Sequence, residues 1–173
     1  MQTFLPHPDF KASAKALDWR RLGKQRVEAL QVLQTLAASS TQERRGWRNH
    51  PTVKMWRGYE NALAEYGIAC CDEWLRREYA DTTREKILAL QAKCFKPVGL
   101  GFVIQPPWLG DDHLHSSHRA TLLWKADVDF TAVVMTRRDW ANSKQGQDAA
   151  ATLQWYKSQG WKEEPRYAYY WPK

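Results

Sequence analysis

The stretch Leu17-Asp18-Trp19-Arg20-Arg21-Leu22-Gly23-Lys24-Gln25-Arg26-Val27-Glu28-Ala29-Leu30 decides how the chain folds. Wound at about 100° per residue, it gathers Leu22, Ala29, Leu30, Leu33, Leu36 and Ala37 on one face and Arg21, Lys24, Gln25, Glu28 and Gln31 on the other. That split marks a long helix which buries one stripe and shows the other. Asp18 suits the N-cap, because a short carboxylate accepts from the first free N–H groups. The helix should continue to about Ala38, where Ser39, Ser40 and Thr41 end it. Glu28 is the only acid on the polar face. A lone carboxylate among cations stays ionised, and it reads either as a partner in i,i+4 pairs on a solvated face or as an acid–base group beside a bound polyanion.

Working outward, residues 1–10 carry Pro6 and Pro8, which bar helix and favour an extended path pinned by Phe4, Leu5 and Phe10. A short helical turn follows over 11–17. Beyond the long helix, residues 42–50 interleave Arg44, Arg45, Arg48 and His50 with Trp47, the mixture a phosphate-binding loop needs. Pro51 fits the first turn of a helix, and Val53, Trp56, Leu63, Gly67, Cys70 and Trp74 extend its inward stripe, so that one helix is predicted through Tyr79. Asp81-Thr82-Thr83 with Glu85 signals another helix over Thr83–Cys94. Glycines and prolines interrupt residues 95–110, leaving a short strand over 100–104. Asp111 or Asp112 restarts a helix through Lys125. The β-branched Val128, Thr131, Val133 and Val134 predict a second short strand over 128–135. A last helix covers 147–158, and the aromatic tail from Trp161 to Pro172 should pack back onto the helices. The pattern is mainly α: a compact single-domain helical bundle with one or two short strands.

The chain has 173 residues, which is the size of one domain with a real core. Lys and Arg number 26 against 19 Asp and Glu, a net charge of +7 that points to an anionic partner, nucleic acid first. Ten Trp are more than such a core needs, so some rings are expected at surfaces where bases stack. No apolar run is long enough to span a membrane and no secretory signal opens the chain, so a cytoplasmic, nucleoid-associated protein is expected, with no membrane partner. Three cysteines, two of them adjacent at Cys70 and Cys71, lack metal-site spacing and read as reduced, mostly buried thiols. His113, His115 and His118 do not share one helical face, so no metal is expected there.

Several motifs in order resemble the pyrimidine-dimer DNA glycosylase family, its bacterial branch above all. They are Met1-Gln2-Thr3-Phe4-Leu5-Pro6, Arg21 through Glu28, Trp47-Arg48-Asn49-His50-Pro51, Met55 through Tyr59, Pro107 through Asp111, His115 through Arg119, and Tyr170-Trp171-Pro172. Residues 131–167 lie outside the shared pattern, as an insertion. The resemblance implies a helical bundle of the pyrimidine-dimer glycosylase type. It would be a monomeric DNA glycosylase with abasic-site lyase activity, removing a damaged or modified pyrimidine from double-stranded DNA with no cofactor and no metal. In that family the N-terminal amine attacks the sugar C1′ and forms an imine, while a glutamate of the first long helix assists ring opening and proton transfer. The glutamate corresponds to Glu28, and Arg21-Leu22 stand where the family has His-Leu.

The bulk of Gln2 keeps the initiator methionine in place, so the amine is that of Met1; if Met1 were removed, the role would pass to Gln2. An α-amine titrates near pH 7.7–8.0, roughly, and is therefore partly neutral at physiological pH without deep burial. Expected DNA contacts are Arg21, Lys24, Arg26, His50, Arg57, His118, Arg119 and Lys125. Trp47 and Trp108 are candidates to stack on an extruded base or fill its gap. The competing reading is a non-catalytic DNA-binding protein on the same fold, which would tolerate loss of Glu28 and a blocked amine.

Overall fold

In the computed structural model, residues 2–38, 47–95, 103–136, 144–162 and 171–172 are described, the side chains of 129–136 and 144–146 excepted. Among the described residues there are seven α-helices and no strand, so the expectation of a mainly α protein is met. In chain order they are α1 (Phe10–Ala16), α2 (Trp19–Ala37), α3 (Pro51–Trp56), α4 (Glu60–Arg76), α5 (Thr83–Cys94), α6 (Asp112–Thr136) and α7 (Lys144–Ser158), with a 3-10 turn over Trp47–Asn49 ahead of α3. Contacts gather the chain into two compact units, residues 1–110 with 171–173, and residues 111–170.

In the first unit α2 forms where its cap and stripe require. Asp18 Oδ1 accepts from Arg20 N at 3.0 Å and from Arg21 N at 3.1 Å. Leu22, Ala29 and Leu33 are fully buried, and α2 packs chiefly on α4. The approach is close because α4 offers Gly67 at the crossing. A methyl group there would lie 2.8 Å from Ile87 Cδ1 of α5 and 3.1 Å from Ala29 Cβ of α2. One hydrogen atom at Gly67 therefore lets three helices share a core. Fully buried Leu22, Leu33, Trp56, Leu63, Tyr66 and Ile87 fill it, each side chain contributing about 1.5–3 kcal/mol relative to exposure.

The single helix predicted from Pro51 to Tyr79 is two. His50 caps α3, its Nδ1 accepting from Thr52 N at 3.2 Å, and Pro51 takes the first turn. The chain then breaks at Gly58, whose φ of 88° is left-handed and which glycine adopts without strain. Glu60 Oε1 accepts from Gly58 N at 2.9 Å and α4 begins. Periodicity concealed the break, because Trp56 and Leu63 stand seven residues apart and stay in phase whether or not a turn intervenes. At α5 the cap comes from Asp81, whose Oδ2 accepts from Arg84 N at 2.8 Å, while Thr82 makes no side-chain cap bond.

In the second unit α6 packs against α7. Residues 128–135 are helical, where β-branching had suggested a strand. Branched residues cost a helix only a few tenths of a kcal/mol each, and no Gly or Pro interrupts the sequence from Asp112 to Thr136. An established helix therefore propagates through them. Tyr156 of α7 is fully buried, and Trp161 stacks on it at 4.6 Å. The strand expected over 100–104 falls largely outside the described residues; Val103, Ile104 and Gln105 form no regular element. Among the described residues no helix is long and apolar enough to cross a membrane. Cys70 and Cys71 are buried free thiols, and burial pushes Cys71 up to about 11. Cys94 is exposed.

Candidate active site

Residues 2–4 run extended and are bonded to three helices. Gln2 N donates to Glu28 Oε2 at 3.1 Å, and Gln2 O accepts from Gln25 Nε2 at 2.8 Å. Trp56 Nε1 donates to Thr3 Oγ1 at 2.9 Å, and Phe4 N donates to Gln25 Oε1 at 2.8 Å. The Tyr66 hydroxyl stands 2.9 Å from Phe4 O and 2.7 Å from Gln25 Oε1, with one proton to serve both acceptors. Burial pushes the Tyr66 hydroxyl well above its ordinary range, so it remains a donor. Thr3, Phe4 and Leu5 are buried. The start of the chain is thus pinned against α2, α3 and α4.

Glu28 is half-buried on α2, one helical turn after Gln25. Both of its described donors, Gln2 N at 3.1 Å and Gln25 Nε2 at 3.0 Å, land on Oε2. They are neutral amides. Gln25 itself is 1% exposed, which corrects its place on the polar face. Its spacing of three from Leu22 and four from Ala29 sets it inside the apolar stripe, a legible signal that a buried amide with four hydrogen-bond positions sits there. Gln25 and Tyr66 are the site residues that sequence reasoning missed.

His50 borders an aromatic group. Its ring lies 5.6 Å from Trp47 and 6.3 Å, edge-on, from Trp171. Burial holds His50 below its ordinary value, the positive chain terminus adds to this, and Glu28 opposes both. Its Nδ1 accepts the α3 cap bond, so the neutral ring carries its proton on Nε2.

The other expected residues are dispersed. Arg21 pairs with the cap residue Asp18. Lys24 is exposed. Arg26 forms an ion pair with buried Asp81 and lies 4.3 Å over the Trp74 ring, about 200° around the helix from Glu28. It serves the core and not a phosphate. Arg57 is exposed and donates to Arg48 O at 3.2 Å. Trp47 is 48% exposed and free to stack. Trp108 is 8% exposed, packed edge-on against Trp56 at 4.9 Å and donating to Met55 O. It is a core residue, which corrects its expected stacking role. His118 of the second unit is fully buried, so it has no surface to offer a phosphate. Arg119 pairs with Asp112 at 2.9 Å, and Lys125 lies 5.7 Å over Trp124. Met1, Arg44 and Arg45 lie outside the described residues. Among the described residues no group of three or more His, Cys, Asp or Glu is placed to hold a metal.

A model of the family described as pyrimidine dimer DNA glycosylase matches residues 1–87, half of the chain, and so covers the pinned start, Gln25, Glu28 and His50. No curated protein and no solved structure matches.

Proposed function

The chain belongs to the pyrimidine dimer DNA glycosylase family, a DNA repair glycosylase by that membership, and from this premise we propose that its N-terminal amine and Glu28 carry out base excision and strand cleavage as a covalent lyase. The observation that carries the proposal is the 3.1 Å bond from Gln2 N to Glu28 Oε2. One residue of chain spans at most about 3.6 Å, which supports an amine one residue before Gln2 as the group that acts with that carboxylate.

The neutral amine donates its lone pair to C1′ of the damaged nucleotide. The glycosidic bond breaks, and its electron pair leaves with the base, which takes up a proton. Glu28 accepts one proton from the attached nitrogen and passes it to the ring oxygen as the C1′–O4′ bond opens, leaving the protonated imine. Glu28, ionised again, accepts a C2′ proton, and the electrons of that C–H bond form the C2′–C3′ double bond as the 3′ phosphate leaves with the C3′–O electron pair. A carboxylate held by neutral amides is suited to this traffic, because no cation has to be displaced when it is protonated. Exposed Lys24 and Arg57 supply candidate phosphate contacts beside this chemistry, and the half-exposed Trp47 ring supplies a stacking surface for an extruded pyrimidine or its gap.

Borohydride reduction on a duplex carrying an abasic site tests the reading. The wild-type chain should give a covalent protein–DNA adduct, lost on N-terminal acetylation and strongly reduced in Glu28→Gln. Binding to DNA with no adduct would leave only a non-catalytic DNA-binding protein.

A further inference from the structure

Gln25 does more than fill space. Its orientation is fixed by partners that cannot exchange roles: Phe4 N can only donate, so it meets Oε1, and Gln2 O can only accept, so it meets Nε2. The second Nε2 hydrogen goes to Glu28 Oε2 at 3.0 Å, and the Tyr66 hydroxyl approaches Oε1 at 2.7 Å. One buried amide therefore holds both the extended start of the chain and the carboxylate beside it. With Gln2 N and Gln25 Nε2 both on Oε2, Oε1 is the oxygen these bonds leave for proton exchange.

We infer that Gln25 is the positioning residue of the reaction, setting the carboxylate of Glu28 and the first residues of the chain in one frame, with Oε2 anchored and Oε1 exchanging the proton. The inference rests on the proposed lyase chemistry and deepens it. Gln25 touches no reacting atom. It acts by fixing the distance between two groups that do, and a misplacement of about 1 Å can cost on the order of a hundredfold in rate.

The test is the rate of borohydride trapping on abasic-site duplex, measured for the full-length chain across pH 5–9 or so, with the thermal midpoint recorded for each variant. Gln25→Glu keeps the shape. Ionised, it donates no hydrogen bond and faces Glu28 with like charge; protonated, it regains one donor. The ratio of wild-type to variant rate should therefore be about a hundredfold at high pH and shrink steadily as pH falls. A role in folding alone would lower the midpoint, the more so at high pH, and leave the ratio per folded molecule constant with pH. Should Gln25→Glu not fold, Gln25→Asn offers the same amide one methylene short of its partners, and its folded form should trap poorly. A pH-independent ratio near one, or full trapping by folded Gln25→Asn, overturns the inference. Failure of the wild-type chain to trap overturns the lyase chemistry instead, and so separates the two.

Discussion

Two carboxylates, Glu28 of α2 itself and Asp81 brought against Arg26 of that helix, are held in opposite ways. Asp81, with its side chain 1% exposed, is closed by the Arg26 guanidinium, which also lies over the Trp74 ring. Glu28 is half-buried and held by two neutral amides on one oxygen. The first arrangement neutralises charge and ties residues 55 positions apart. The second orients a charge without cancelling it. A carboxylate paired with a cation is spent on the fold, whereas one fixed by neutral amides is oriented with no counter-charge to displace.

Substitutions at the two acids should therefore separate activity from stability. Glu28→Gln should lower borohydride trapping by roughly 10²–10⁴-fold, the usual worth of a general acid–base group, while the denaturation midpoint barely moves. Asp81→Asn should do the reverse. It leaves the Arg26 charge buried without its acid, at about 3–5 kcal/mol, readable in urea unfolding, with trapping by the folded fraction unchanged. Loss of trapping in Asp81→Asn, or loss of stability in Glu28→Gln, would break the contrast.

Gly67→Ala probes the scaffold beneath both sites. The added methyl meets Ile87 Cδ1 at 2.8 Å and Ala29 Cβ at 3.1 Å, so overpacking should cost about 1–3 kcal/mol, and Gly67→Ala with Ile87→Val should recover part of it. The smallest effect is expected at a third acid, Glu73. It is buried on α4 and bonded at 2.7 Å by Arg76 and Arg77, and Arg77 also donates to Leu17 O at 2.8 Å. The Arg76 hydrogen bond is the main cause holding the Glu73 carboxyl below its ordinary range, with burial opposing and Arg77 assisting. Its stabilising contribution is thus present above the unfolded value, roughly pH 4.3, and lost as pH falls through the lower folded value. Acid unfolding followed by circular dichroism should lose part of its steepness between about pH 4 and lower pH in Glu73→Gln. Like Asp81, Glu73 should leave trapping untouched.

Much of this was legible in the sequence. The cap at Asp18, the stripe through Leu22, Ala29 and Leu33, the pinned start of the chain and the isolation of Glu28 all followed from spacing within about twenty residues. The misreadings share a cause. Gln25 was assigned by polarity although its spacing put it on the buried stripe, Trp108 by its aromatic type, and 128–135 by local propensity. For Gln25 and Trp108 a distant packing partner outweighed the residue type, and for 128–135 the propagating helix outweighed the small strand preference of branched residues.

What the sequence determined by itself is the mainly helical class, the first long helix with its cap, and the one acid on that helix's polar face, because periodicity and capping are local and are written in consecutive residues. Only the tertiary structure decided that Arg26 belongs to Asp81, that His50 caps α3 beside Trp47 and Trp171, and that Gln25 joins Gln2, Phe4 and Glu28. Those pairings depend on which buried polar groups find partners when the helices close, and a buried amide or charge is satisfied by whatever chain is brought against it.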